Sequence, residues 1–204
     1  MKPSEECEAS AQLGINMIQI ETIEIAGMAS VLQALRLPFG KECRSEANSH
    51  YSWEDDVDKG LWVNYNAQCD INEKDLALLS TLVKRGDEHS KTIRGLIVYA
   101  QIEAPIWFYR ELETYKIGRE RLSCESTMHI DCKGLSGEEL EKAKDEIPMG
   151  KIQKTIDWFS YQTLRRIWIQ RHNHRLPMWH DFCAWIESLP FANELILVGL
   201  DKEK

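Results

Sequence analysis

Ala104-Pro-Ile-Trp-Phe-Tyr-Arg-Glu-Leu-Glu-Thr-Tyr-Lys116 is the stretch on which the reading of this chain turns. Pro105 suits the first position of a helix, where its missing N–H leaves nothing unsatisfied. The predicted helix carries Ile106, Tyr109, Leu112 and Glu113. Arg110 stands among large apolar groups, and an arginine on such a helix needs a carboxylate or a phosphate beside it. Two partners fit: Glu113 or another carboxylate of the chain, or an anionic ligand. Just beyond, Leu122-Ser-Cys-Glu-Ser-Thr-Met-His129 offers the hydroxyls of Ser123, Ser126 and Thr127, either to phosphate and base oxygens or to turns.

Working towards the N-terminus, residues 93 to 102 are apolar and β-branched, which predicts a strand leading into that helix. Asn72, with Asp75 three later, predicts a helix running to Lys84 with Leu76, Leu79, Leu82 and Val83 on its stripe. Leu61-Trp-Val-Asn-Tyr65 reads as a short strand and residues 41 to 60 as loop, with Glu54-Asp55-Asp56 a solvated acidic cluster. Ile18, Ile20, Ile23 and Ile25 alternate as a strand does, and Met28, Val31, Leu32 and Leu35 follow at helical spacing. Towards the C-terminus, residues 117 to 135 read as polar and irregular, and Ser136-Gly-Glu-Glu139 as a capping box opening a charged helix to Asp145. A long helix is predicted from Ser160 to His172, with Leu164, Ile167, Trp168 and Arg171 on one stripe. A last one follows Pro177, with Phe182, Trp185 and Ile186 inward, and Pro190 ends it.

The composition bounds the partners. The 204 residues suit one domain over 1–204, with residues 1–70 its less defined N-terminal part. The net charge of -8 argues against general nucleic-acid binding, so any anion must be met by a local basic cluster. No apolar run approaches the ~18 residues of a membrane span, and Met1-Lys-Pro-Ser-Glu-Glu6 lacks the build of a secretory signal. The six cysteines, Cys7, Cys43, Cys69, Cys124, Cys132 and Cys183, form no C-x-x-C pair. Reduced thiols in a soluble cytoplasmic protein are the expectation.

Further candidates were weighed on their chemistry. Arg165, Arg166, Arg171, His172, His174, Arg175 and His180 make the densest basic region, either an anion site or a solvated helix face. His172-Asn173-His174 does not have the spread of an HNH nuclease, and no Cys or carboxylate pattern adds ligands, so no metal is expected. Cys124 reads as an incidental cysteine. Of the seven tryptophans, Trp107 and Trp179 are the candidates for stacking on a base or a flavin ring.

Taken together, the order of motifs between residues 75 and 190 resembles the flavin-dependent thymidylate synthases, as a diverged member of the kind found in phages and bacteria. Ala104-Pro105-Ile106 fits that family's A-P-I-F-type turn, and Arg110 falls on the Arg of its Arg-Gln pair, with Glu111 in place of Gln. Ser126 falls on the serine that contacts deoxyuridylate, with Ser123 nearby, and Arg171 on an arginine that helps bind the nucleotide. Upstream, His89 falls on the first His of the family's His-Glu-x-Pro-x-Glu-His stretch. The family's Arg-His-Arg, which holds flavin and substrate, reads Thr114-Tyr115-Lys116, so only Lys116 keeps a charge there. Met128 replaces a second arginine, Gly95 a second histidine, and an insertion of about two residues precedes Ser123.

The resemblance implies an α/β (α+β) fold with a central antiparallel sheet flanked by helices. It implies a homo-oligomer, a tetramer, with the site shared between subunits. It implies a nucleotide held by Arg110, Glu111, Ser123, Ser126 and Arg171, and FAD, if bound, near His89 and Lys116. The implied activity is reductive methylation of deoxyuridylate or a related pyrimidine nucleotide. The alternative is a non-catalytic protein that binds or sequesters a nucleotide signal in phage–host conflict.

Overall fold

The computed structural model describes residues 18–39, 50–52 and 68–200. The strand predicted at Leu61–Tyr65 and the acidic cluster at 54–56 lie outside them. Ile20, Ile23 and Ile25 lie in β1 (Gln19–Ala26), with Ile18 just ahead of it and a register irregularity between Thr22 and Glu24, and α1 (Met28–Arg36) follows, burying Met28, Val31, Leu32 and Leu35 as their spacing demands. Gly27 makes that turn possible. Its φ is +95°, and a Cβ there would run into the carbonyl of Gly95. β2 (His50–Ser52) and β3 (Gln68–Asp70) pair as a small antiparallel ribbon. Asn72 caps α2 (Glu73–Lys84), its side chain accepting from the Lys74 N–H at 2.9 Å. Leu79 and Val83 are buried in α2, and so is Asp75, which pairs with Arg36 of α1.

β4 runs over Ile97–Pro105, later than the expected 93–102, because Lys91–Gly95 form a 3₁₀ turn that buries Ile93. In β4 the residues Val98, Ala100, Ile102 and Ala104 are fully buried, and those between them are half-exposed. Pro105 closes the strand, and α3 (Ile106–Leu112) begins one residue later than expected. The stretch 117–135, expected to be irregular, contains β5 (Arg119–Cys124) and the short α4 (Thr127–Ile130). α5 (Gly137–Asp145) starts where the Ser136 motif predicts, though the Ser136 side chain makes no capping bond. β6 (Ile152–Ser160) was not anticipated. It passes directly into α6 (Tyr161–Arg171), and α7 (Pro177–Ser188) and α8 (Ala192–Leu195) complete the described chain.

The large sheet has four antiparallel strands in the order β1-β4-β6-β5, flanked by helices, which is the expected fold class. One sheet face carries the core: Phe108 and Leu112 of α3, Leu164 and Ile167 of α6, and Trp179 and Phe182 of α7 pack with Val98, Ile102 and Phe159. Aromatic pairs tie α7 down, Phe108 to Trp179 at 4.7 Å and Phe159 to Phe182 at 5.9 Å between ring centroids. Because β4 and β6 are antiparallel, with Pro105 opposite Ile152 and Ile97 opposite Ser160, α3 and α6 leave opposite ends of the sheet. Both return across the core, and their C-terminal ends meet.

Candidate functional site

That meeting point gathers the polar groups of the two helices. Arg171, in the last turn of α6, donates from Nη1 to Glu111 Oε2 at 3.1 Å and from Nε to the Tyr115 hydroxyl at 2.9 Å. Its Nη1 also lies 2.9 Å from His174 Nε2, and the guanidinium sits 4.5 Å from the centre of the Trp179 ring. Glu111 Oε2 accepts a second bond, from Trp179 Nε1 at 2.9 Å. The Tyr115 hydroxyl in turn donates to Gln170 at 2.9 Å. A helix C-terminus carries partial negative charge, so Arg171 is well placed there and Glu111 is not. Two donors hold the carboxylate in place. Arg171 is 18% exposed and Glu111 34%, so the pair lies at the mouth of the cluster rather than inside the core.

Of the residues singled out from sequence, the structure brings Arg171 and Glu111 together. Arg110 is exposed, which corrects its reading as an arginine held on an apolar face. Helical spacing turns Phe108, Tyr109 and Leu112 inward and leaves Arg110 pointing away from them. Among the described residues it forms no ion pair; Glu113, the carboxylate named for it, pairs with Arg121 at 2.9 Å, and the neighbouring Glu111 pairs with Arg171. Lys116 is exposed and lines a cleft of about 490 Å³ with Glu113, Tyr115, Arg119, Glu120 and Trp158. Ser123 lines a smaller one of about 230 Å³ with Gln101, Cys124 and Lys154. Ser126 is half-buried at the N-cap of α4, where its carbonyl accepts from Ile130 at 3.0 Å.

His89 is exposed in the turn after α2. That turn is tied to the early part of α6, through Asp87 to Arg166 at 2.6 Å and through Ser90 to Gln162. Gln162 lies nine residues before Arg171, about 13 Å along the helix. Within one chain His89 therefore does not join the Arg171 cluster.

The basic region 165–180 disperses in the same way. Arg165 donates to the carbonyls of Ile196 and Val198, Arg166 pairs with Asp87, and His172 stacks on Trp168 with centroids 4.2 Å apart. Trp179 is fully buried, so its face is taken by Arg171 and is closed to a base or flavin; Trp107 is half-buried. Sequence reasoning missed Tyr115 and His174 as partners of Arg171. Among the described residues no three His, Cys, Asp or Glu side chains converge as metal ligands, and no helix is long and apolar enough to cross a membrane.

No protein-family model matches the sequence, and none of the curated proteins is similar enough in sequence to match. Solved structures are similar in fold. The flavin-dependent thymidylate synthase ThyX of Helicobacter pylori, complexed with FAD and dUMP, superposes with a TM-score of 0.62 at 15% identity, covering 90% of this chain and 100% of that one. A second structure of it with the same two ligands gives 0.63 at 13% identity, over 88% and 97%. The UMP/dUMP methylase PolB of Streptomyces cacaoi, bound with 5-Br dUMP, gives 0.58 at 12% identity, over 92% and 97%. At this identity the likeness establishes the fold: an antiparallel sheet flanked by helices, of the thymidylate-synthase-like kind, running through nearly the whole chain.

Proposed function

We propose that this chain is a nucleotide-binding protein and that it takes a pyrimidine nucleoside monophosphate, deoxyuridylate or a close relative. The site lies where α3 and α6 converge, with Glu111 and Arg171 at its base and Arg110 and Lys116 as exposed cations that form no ion pair among the described residues. One observation carries the reading: an unbroken fold likeness to proteins crystallised with such nucleotides, meeting a half-buried arginine whose planar group is clamped by Trp179 and Tyr115. As part of the same proposal the chain assembles as a homo-oligomer, a tetramer, so that Ser123, Ser126 and His89 complete the site from neighbouring copies.

The fold's solved relatives also hold FAD, and the residues here can be tested against it. At the positions where the resemblance puts flavin contacts, the Thr114 hydroxyl is spent on the Glu111 carbonyl at 2.7 Å. The Tyr115 hydroxyl is spent between Gln170 and Arg171, and the cleft beside Lys116 is lined by Glu113 and Glu120. One lysine between two carboxylates, with the Arg119 charge taken by Asp157, is a poor seat for a diphosphate. Within one chain these residues do not fit flavin, and no step through it is derived.

Two measurements test the proposal. Thermal-shift titration with deoxyuridylate should stabilise the protein, by about 2.7 kcal/mol at a hundred times the dissociation constant. No shift with any pyrimidine nucleotide sinks it. The visible spectrum of the purified protein should lack flavin absorbance; a yellow protein that bleaches under reductant and carries tritium-labelled methyl groups onto deoxyuridylate would replace the binding role with synthesis.

A further inference from the structure

Arg171 is not a free cation. Its charge is matched by Glu111 at 3.1 Å, and Glu111 is itself anchored by Trp179 Nε1. A phosphate approaching Arg171 would also meet the Glu111 carboxylate 3.1 Å from its Nη1, two like charges in a partly desolvated spot. A neutral group bearing an N–H or O–H meets the opposite situation. Among the described residues, Glu111 Oε1 and Arg171 Nη2 make no hydrogen bond, so the pair presents one acceptor beside one donor.

We infer that Glu111 is a specificity-determining residue, which turns the Arg171 end of the site towards an uncharged, donor-bearing edge of the nucleotide and excludes its phosphate. The inference rests on the nucleotide-binding reading above. It orients the ligand: the imide or amino edge of the base lies at the Glu111–Arg171 pair, and the phosphate lies on other cations. Arg110, which is exposed and forms no ion pair among the described residues, suits that role.

The test is calorimetric titration of the full-length protein with 2′-deoxyuridine and with its 5′-monophosphate. The quantity of interest is the phosphate advantage, the ratio of the two dissociation constants. In Arg171→Gln the advantage should equal that of the wild type. In Glu111→Gln, which keeps the shape and removes the charge, it should rise about tenfold, the worth of one charge-assisted hydrogen bond. In the double variant that gain should vanish, and Glu111→Asp, which keeps the charge, should show none. A large fall of the advantage in Arg171→Gln alone would show that Arg171 holds the phosphate despite Glu111, and would overturn the inference. So would an unchanged advantage in Glu111→Gln. Binding of both compounds with a flat ratio across all variants sinks this inference and leaves the nucleotide reading standing. No binding of either compound to any of the proteins removes both.

Discussion

Asp157 is fully buried in β6 and pairs with Arg119 of β5, whose side chain is 5% exposed; Thr155 donates a further bond to its other oxygen at 2.5 Å. Breaking such a pair leaves an uncompensated charge in the core. Asp157→Ala should therefore cost about 3–5 kcal/mol of unfolding free energy, read by urea denaturation; a loss below about 1 kcal/mol would mean that Arg119 reaches water. Tyr109 nearby is pushed up to about 12, chiefly by burial, and Tyr161 is raised for the same reason. Both phenols stay protonated in the folded chain at pH values where an unfolded one ionises. Unfolded chains then bind fewer protons, so stability should fall between pH 10 and 12. Stability that is flat over that range contradicts the burial of both rings. The same burial logic separates the thiols: Cys183, raised to about 12, should resist alkylation while exposed Cys124 reacts, as peptide mass mapping would show. At this scale the sequence was legible for Arg171, whose stripe position was right. It misled for Arg110, because a run of large apolar neighbours in sequence says nothing about which of them share its face.

Among elements, the two strands that sequence reading missed are instructive. In β6 the buried positions are Thr155, Asp157, Phe159 and Ser160, while Ile152 is exposed and Ile156 and Trp158 are half-exposed. In β5 the one buried residue is Arg119, and Leu122 is exposed. The polarity of the alternation is inverted because Arg119 and Asp157 neutralise each other within the core face, so a pattern scored on hydropathy cancels. α1, α2, α6 and α7 bury apolar residues in the ordinary way and could be read directly. Gly118 joins the α3 turn to β5 with φ +75°, and a Cβ there would press on Thr163 Oγ1 and sit 2.6 Å from Ser160 Oγ, the N-cap of α6. Gly118→Ala should destabilise by about 2–3 kcal/mol, the sum of a left-handed backbone penalty and overpacking. Thermal melting checks it, and a melting temperature unchanged by the substitution would show that the β5 turn can move away.

For the whole molecule, the antiparallel sheet with its flanking helices was legible through the order of motifs, since strand–helix units survive where individual residues do not. Large apolar side chains lie open on the β5 side, Ile117 at 79%, Leu122 at 54% and Ile130 at 58% exposure. Such a surface agrees with the proposed homo-oligomer. Multi-angle light scattering should give a mass of several copies of the 23.7 kDa chain, tetramer foremost; a clean monomer would remove the shared site.

α3 begins on the residue after β4 ends, and α6 on the residue after β6 ends. No linker separates either helix from its strand, and the two strands are bonded side by side. The tips of α3 and α6, which start from opposite ends of that strand pair, are therefore positioned by the length of the pair, as a caliper's jaws are set by its frame. Such a jaw has no linker of its own to serve as a hinge. For the proposed site this means a floor that is rigid before any ligand arrives, with little ordering cost left for binding.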